Sequence, residues 1–309
     1  MRDIKNVLVV GAGLMGKNIA FVMTANPALN VTVTDVAEVD VRAGIIENCR
    51  QLVERGVITG AELDSRLERI TFTTDKSGAC YENADLVIEA VFEDMELKRT
   101  TFAALEEQCP PDAIFCTNTS VMSPTEISAR LIHRGRFAGT HFWNPAHLIP
   151  LVEVVKSDAT TDETAQAVME LLKSAGKVPV LCKRDVPGFI ANRMQHALWR
   201  EAVSIVENGI ADAETVDMAV RYSFGLRLPQ LGPLENADMV GTDLTYSIHE
   251  YILPHLESSG SPSPLLKSLR DAGDLGFKTG KGFRTWTPEE SERCKEELYS
   301  YLIRALYGK

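Results

Sequence analysis

Residues 6 to 35 carry a pattern that few folds can accommodate. Asn6 to Val10 is a short apolar run, and it leads directly into Gly11-Ala-Gly-Leu-Met-Gly16. Lys17 to Thr24 follows with Ile19, Ala20, Phe21 and Met23 at helical spacing. Each glycine has its own task. Gly11 permits a tight turn, Gly13 lets the backbone approach a pyrophosphate, and Gly16 lets helix and strand pack closely. The next apolar run, Val31-Thr-Val-Thr-Asp35, ends in an acid at about the ~20-residue offset expected of a dinucleotide site. A carboxylate there accepts hydrogen bonds from ribose hydroxyls and repels a 2′-phosphate, so the expected cofactor is NAD rather than NADP. Gly11, Gly13, Leu14, Met15, Gly16 and Asp35 are the first candidate cofactor residues. The plain alternative is a glycine-rich strand–helix turn that holds no ligand.

Strands and helices continue to alternate. Val39 to Arg69 is charged and helical, and reads as two antiparallel helices turning at Gly56 to Gly60 on the surface. Ile70 to Thr73, Asp85 to Val91 and Ala113 to Ser120 read as strands, with Glu93 to Lys98 opening a helix between the last two. Asn118, Thr119 and Ser120 end a strand in amide and hydroxyl groups, as expected at the ligand-binding edge of a parallel sheet. Ser123-Pro-Thr-Glu126 is a helix start whatever the function. Asp162 to Ser174 reads as a helix and Lys177 to Cys182 as the last strand. Lys183 to Gly188 is the expected joint. Beyond it the patterns are helical: Phe189 to Glu207, stopped by Asn208-Gly209, then Asp212 to Tyr222 and Asp238 to Leu253. Residues 1–185 are therefore expected to form an α/β dinucleotide-binding domain, and residues 186–309 an all-helical domain for substrate and dimerisation.

One stretch carries reactive groups. His141 and Glu153 flank an Asn144-Pro145 turn and Pro150, and Leu151 to Val155 reads as a strand. A chain that turns there and returns as a strand sets Glu153 beside His141. A carboxylate on one imidazole nitrogen fixes the tautomer and raises the basicity of the other. Such a pair can remove a proton from a hydroxyl while hydride leaves the same carbon. It can equally be a buried, satisfied polar pair between two strands.

Composition excludes several classes. At 309 residues the chain has room for two domains, and a net charge of −11 leaves no basic stripe for nucleic acid. No apolar run is long enough to cross a membrane. The start, Met1-Arg-Asp-Ile-Lys-Asn, runs straight into a strand with no signal core, so a cytoplasmic protein is expected. The six cysteines form no Cys-x-x-Cys pair, and no metal site is expected.

Taken together, the glycine fingerprint, Asn118-Thr-Ser120, His141-x-x-Asn-Pro145, Leu151-Val-Glu153 and Pro187-Gly-Phe-Ile-x-Asn-Arg193 occur in the order seen in the L-3-hydroxyacyl-CoA dehydrogenases, which this chain resembles. The resemblance runs through Gly276-Phe-Lys-Thr-Gly280 and covers nearly the whole chain. It implies a Rossmann-type domain followed by a helical domain that forms a homodimer. It also implies His141 as catalytic base and Glu153 as its partner. Ser120 and Asn192 would hold the substrate oxygen or the histidine. Asp35, Glu93, Lys98, Asn118, Asn144 and Lys278 would meet NAD. Asn192 would come from the helical domain, so that domain closure completes the site.

The departures from the family concern the substrate. CoA-dependent members usually carry a basic residue where this chain has Pro150, and different residues at Ala146 to Ile149. The segment Val36 to Arg69, which touches CoA in the family, holds five arginines against seven acids. The pattern around the Asn-Pro turn is similar to relatives acting on small free acids: L-gulonate 3-dehydrogenase, carnitine dehydrogenase and a pyridine-carboxylate dehydrogenase of vitamin B6 breakdown. The family's commonest activity makes oxidation of a 3-hydroxyacyl-CoA, as in fatty acid metabolism, the first expectation. A small hydroxy acid, or an aromatic hydroxymethyl or aldehyde carboxylate, is the alternative. A non-catalytic, crystallin-like relative is the second alternative.

Overall fold

The computed structural model describes residues 4–75 and 78–308; Met1 to Asp3, at the start of the chain, lie outside the described residues, as do Lys76, Ser77 and Lys309. The chain divides into two compact units, Met1–Arg193 with Tyr299–Lys309, and Met194–Leu298.

The first unit is built on eight strands: β1 (Asn6–Val10), β2 (Asn30–Thr34), β3 (Ile70–Thr73), β4 (Leu86–Glu89), β5 (Ile114–Thr117), β6 (Phe137–Phe142), β7 (Leu151–Lys156) and β8 (Val178–Cys182). They form one sheet in the order β3-β2-β1-β4-β5-β6-β7-β8. Neighbours are parallel except β6 and β7, which are antiparallel. The chain crosses from β3 to β4 over two strands, so the order reverses between β1 and β4. That is where an open α/β sheet leaves a crevice at its carboxyl edge. Helices α1 (Leu14–Met23), α2 (Val41–Glu54), α3 (Gly60–Leu67), α4 (Ala79–Glu82), α5 (Met95–Gln108), α6 (Pro124–Ile127) and α7 (Asp162–Ser174) connect the strands.

Side-chain alternation divides the core into two. Val7, Val9, Val31, Val33, Leu86 and Ile88 belong to one cluster, and Leu8, Val87, Phe115 and Phe137 to another. A sheet covered on both faces needs apolar residues at both parities, which explains the unbroken runs in β4 and β5.

The α2–α3 hairpin turns at Gly56 (φ 64) and restarts at a Thr59–Glu62 capping box. Its end is tied to the end of α1. Arg66 donates to the Phe21 carbonyl at 2.7 Å and stacks 3.7 Å over the Phe21 ring. Arg69 donates to the carbonyls of Thr24 at 2.7 Å and Asn26 at 2.9 Å. These guanidinium groups satisfy carbonyls that a helix end leaves without partners.

The remaining helices are α8 (Ala191–Glu207), α9 (Ala213–Arg221), α10 (Pro233–Val240), α11 (Thr242–Ile252), α12 (Pro264–Asp271) and α13 (Pro288–Tyr307). Two helices expected from the sequence need correction here. α8 begins two residues later than Phe189, whose φ of 51 is left-handed and non-helical. The single helix expected from Asp238 to Leu253 is two helices, split at Gly241 with φ 104. The end of the chain, placed with the helical domain on sequence, clusters with the first unit because Ile303 is fully buried in its core beside Tyr299 and Leu302.

The β6–β7 connection is short and heavily pinned. Pro145, after a cis peptide bond, has its carbonyl accept from Leu148 N at 3.0 Å and Ile149 N at 2.9 Å. Lys177 donates to the Ile149 carbonyl at 2.9 Å and also to that of Ala146. His147 is buried against Tyr299, and neither ring nitrogen has a hydrogen-bond partner among the described residues. Burial, with the Lys177 charge beside it, pulls the His147 imidazole down to about 4. Burial, with the Arg66 charge, pulls the Lys177 ammonium down to about 8.

The folded value for His147 lies below the ordinary 6.5. Its contribution to stability is therefore present above pH 6.5 and is lost as pH falls through 4. Between pH 7 and pH 4 this one group is expected to remove about 3 kcal/mol. Urea unfolding of His147→Leu at the two pH values should show a correspondingly smaller loss than wild type. Equal losses would mean that His147 charges freely in the fold.

Candidate active site

At the carboxyl end of β1 the three glycines divide between structure and opening. Gly11 donates to the Thr34 carbonyl at 2.8 Å and has φ 106; a side chain there would stand 2.7 Å from the Ala90 carbonyl oxygen. A side chain on Gly16 would lie 1.8 Å from the Gly11 oxygen. Around Gly13 nothing stands within 4 Å of where a Cβ would be, and Gly13 caps α1 without a side-chain hydrogen bond. An open approach to an uncapped helix N-terminus suits a pyrophosphate. Leu14 is exposed and Met15 half-buried on the same first turn. Asp35 follows β2, and its carboxylate accepts from Ala12 N at 2.6 Å and Ala37 N at 3.1 Å. The acid is thus fixed against the loop, and these groups fit NAD.

Beside this loop, the ends of β4 and β5 are joined by buried polar groups. Glu89, the last residue of β4, accepts from Lys98 Nζ at 2.8 Å, Thr117 Oγ1 at 2.6 Å and Val91 N at 2.7 Å. Burial pushes the Glu89 carboxyl upward, against the pull of Lys98. Lys98 also meets Glu93 at 3.2 Å. Glu93 accepts from the Thr119 hydroxyl and from Ser120 N at 2.9 Å. Burial would raise the Glu93 carboxyl, but the Thr119 hydroxyl, Lys98 and the Ser120 N–H outweigh it and hold the group below the ordinary range.

His141 and Glu153 are direct partners in the antiparallel β6–β7 register. On one face of such a pair, opposite side chains meet. His141 Nδ1 lies 2.8 Å from Glu153 Oε2, with the side chains 5% and 0% exposed. Three more donors reach the carboxylate: Trp143 Nε1 at 3.3 Å, Ile190 N at 2.9 Å and Ala191 N at 3.0 Å. The last two open α8, so the helix dipole adds to them. Burial would raise the Glu153 carboxyl; the His141 bond and the Ala191 and Ile190 N–H groups hold it below the ordinary range. An ionised carboxylate only accepts, so Nδ1 carries the hydrogen, and in the neutral imidazole the lone pair is then on Nε2. Phe189, buried in its left-handed conformation, packs its ring 5.8 Å from that of His141.

Of the other residues singled out on sequence, Asn118 accepts from Phe142 N at 2.9 Å, next to His141. Asn192 donates to the Ser120 carbonyl at 3.1 Å. Asn192 lies in the first turn of α8, which Glu153 holds and which clusters with the first unit. Asn144 is exposed in the β6–β7 connection, and Lys98 is buried beside Glu89 and Glu93. Lys278 is exposed in the second unit. Sequence reasoning overlooked Glu89 and Trp143 as partners of site residues. Glu89 had a signal: a lone acid inside the apolar run Asp85 to Val91.

A Rossmann-type sheet, an open glycine loop with an acid at the second strand, and a histidine–carboxylate pair at the sheet edge define an NAD-dependent dehydrogenase. The sequence matches the 3-hydroxyacyl-CoA dehydrogenase NAD-binding domain over residues 6–186 and the C-terminal domain of the same family over residues 188–286. The chain belongs to the 3-hydroxyacyl-CoA dehydrogenase family, oxidoreductases that use NAD to oxidise a 3-hydroxyl. A probable 3-hydroxybutyryl-CoA dehydrogenase of Bacillus subtilis is 38% identical over 293 residues, covering 94% of this chain and 100% of the relative. A 5-formyl-3-hydroxy-2-methylpyridine 4-carboxylate 5-dehydrogenase of Mesorhizobium japonicum is 32% identical over 313 residues, covering 99% of each chain. The crystal structure of an enzyme of that activity, an NAD-dependent dismutase, matches with a TM-score of 0.89 at 30% identity, covering 99% of this chain and 100% of that one.

The carboxylate of Asp35 should make NADH bind at least about tenfold more tightly than NADPH, since ~1.4 kcal/mol of repulsion and lost hydrogen bonding suffices. Fluorescence titrations giving equal affinities would remove the ribose role of Asp35.

Proposed function

We propose that His141 is the general base of this dehydrogenase and Glu153 its orienting partner. The observation behind this is the buried 2.8 Å contact between them, with three further donors holding the carboxylate ionised. NAD, when bound, accepts the hydride. His141 Nε2 takes the hydroxyl proton, and Glu153 offsets the charge that His141 then carries. Ser120 and Asn192, hydrogen-bonded to each other, hold the substrate oxygen. Water exclusion at the buried pair strengthens each of these contacts. His141→Gln should lower kcat by ~10²–10⁴ while NADH affinity stays within about threefold. Near-wild-type turnover would make the pair structural.

For the substrate, we infer a small free hydroxy acid. The α2–α3 segment argues against CoA. Between Val36 and Arg69 there is no lysine. Every arginine in it already has an intramolecular partner: Arg42 with Asp64, Arg50 with Glu47, Arg55 with Ser300, and Arg66 and Arg69 with the α1 carbonyls. The exposed pairs are weak, ~0–1 kcal/mol. Freeing Arg66 or Arg69, however, would strip the end of α1. The full-length likeness to the pyridine-carboxylate dehydrogenase supports the same reading. A CoA thioester stays as the second reading, favoured by the 38% identity to the Bacillus subtilis relative. Rates with NADH on acetoacetyl-CoA and on a panel of small 3-oxo acids and aromatic aldehyde acids separate them. A free acid should be reduced with kcat/KM near ~10⁵ M⁻¹s⁻¹ while acetoacetyl-CoA is inert. The reverse result would establish the CoA reading.

A homodimer formed through the helical part accompanies this function. α9, α10, α11 and α12 bury no residue within the chain, yet they carry Met218, Leu234, Met239, Tyr246 and Ile248 exposed. So much uncovered apolar surface calls for a partner. Light scattering at micromolar concentration should give twice the chain mass, with an interface above ~2,000 Å². A monomer would contradict it. No helix among the described residues is long and apolar enough to cross a membrane. The thiols of Cys49, Cys109 and Cys116, all unpaired, are pushed up to about 12 by burial. Unreactive free thiols are consistent with a cytoplasmic protein.

A further inference from the structure

Two residues at the end of the β8–α8 connection leave the ordinary backbone regions. Gly188 has φ 75 and Phe189 has φ 51. Glycine adopts such angles freely. In phenylalanine the Cβ then crowds the backbone, so a left-handed conformation persists only where the surroundings enforce it. The ring does so here, and it is 1% exposed. It packs with Val155 of β7 and Cys182 of β8, and lies 5.8 Å from the His141 ring. Val155 and Cys182 are opposite each other in the β7–β8 register, and Val155 shares a face of β7 with Glu153. The backbone is held as well: Phe189 N donates to the Val186 carbonyl at 3.0 Å, and Arg193 N to the Gly188 carbonyl at 3.2 Å. The next two residues depend on that turn. Ile190 N and Ala191 N converge on a single oxygen, Glu153 Oε1, at 2.9 Å and 3.0 Å. Successive N–H groups turned to one side form an anion-binding nest, and its occupant is this chain's own carboxylate. Oε2 is thereby left to His141 Nδ1 at 2.8 Å and Trp143 Nε1 at 3.3 Å.

We propose that Phe189 is a positioning residue for the reaction. Its ring, wedged against Val155, Cys182 and His141, holds a left-handed turn that aims two N–H groups at Glu153 and so fixes the carboxylate that orients the base. A ring that only filled space would be replaceable by any apolar side chain of similar volume. A ring that holds the turn is replaceable only by side chains that tolerate φ > 0. Leucine and isoleucine separate these roles. Their volumes are equal, and only isoleucine is branched at Cβ, which makes it the poorer occupant of a left-handed position. This role rests on His141 and Glu153 being the base and its partner. His141→Gln tests that reading separately, since it removes the base and leaves Phe189 and its turn unaltered.

The experiment compares Phe189→Leu and Phe189→Ile in the full-length protein, with two readouts. The first needs no substrate: the low-field proton magnetic resonance of the His141 Nδ1 hydrogen, recognised by its absence from His141→Gln. The second is kcat for NADH oxidation on acetoacetyl-CoA and on the panel of small 3-oxo acids and aromatic aldehyde acids. It is taken on whichever of these the wild type reduces fastest, and expressed per NADH site counted by fluorescence titration. Positioning predicts that Phe189→Leu keeps the resonance and a kcat within about fivefold of wild type. Phe189→Ile should lose the resonance and be slower than Phe189→Leu by about tenfold or more, with NADH dissociation constants within about threefold throughout. Phe189→Gly and Phe189→Ala form a second pair, which decides the matter if Phe189→Ile fails to fold. There the order runs against volume: Phe189→Gly, free to adopt φ > 0, should be the faster. Equal kcat in Phe189→Leu and Phe189→Ile, or a second pair that follows volume, would overturn the proposal. If His141→Gln keeps its turnover while Phe189→Ile still loses the resonance, Phe189 positions the pair and the catalytic reading is what fails.

Discussion

The carboxylate of Glu153 is the constraint on which the site depends. It is fully buried on β7, between β6 and β8, where an ion without partners would cost several kcal/mol. Four donors make it tolerable, and they come from three parts of the chain: β6 through His141, the following connection through Trp143, and the start of α8 through Ile190 and Ala191. Satisfying one charge thus fixes three segments relative to one another. The antiparallel pairing of β6 and β7 then follows from need. A parallel partner would require a long crossover, whereas a short turn brings Glu153 opposite His141 within twelve residues of chain.

The cofactor loop and the histidine pair are linked by the sheet edge between them. β1 carries the glycines, β4 and β5 carry Glu89, Thr117 and Asn118, and β6 carries His141. These strands are adjacent and parallel, so their carboxyl ends lie side by side. A ligand in the crevice at the strand reversal is therefore bordered by backbone N–H groups at one end and by the strand that carries His141 at the other. The α2–α3 hairpin lies outside this arrangement. Arg66 and Arg69 support the end of α1, and the segment's surplus of acids gives little attraction for a phosphate-rich substrate.

Much of this was legible in the sequence, for identifiable reasons. The glycine fingerprint was readable because Gly11 and Gly16 answer steric limits that no other residue meets. The β6–β7 pair was readable because a turn of fixed length between a histidine and an acid determines the register. What stayed hidden depends on contacts between distant segments. Nothing near Ala191 in sequence reveals that its N–H serves Glu153, or that the start of α8 clusters with the first unit. Lys98 read as a cofactor contact by resemblance; its burial between Glu89 and Glu93 became visible only in three dimensions. The break at Gly241 was missed because one glycine inside a helical pattern is often tolerated.

The central claim is that His141 and Glu153 act as one unit in proton removal. A double-mutant cycle on kcat with His141→Gln, Glu153→Gln and the double variant tests it most directly. Groups that act together lose activity non-additively, so the double variant should be no slower than His141→Gln alone, within about threefold. If the two losses multiply in full, the histidine and the carboxylate act independently, and the claim that they form one catalytic unit is wrong.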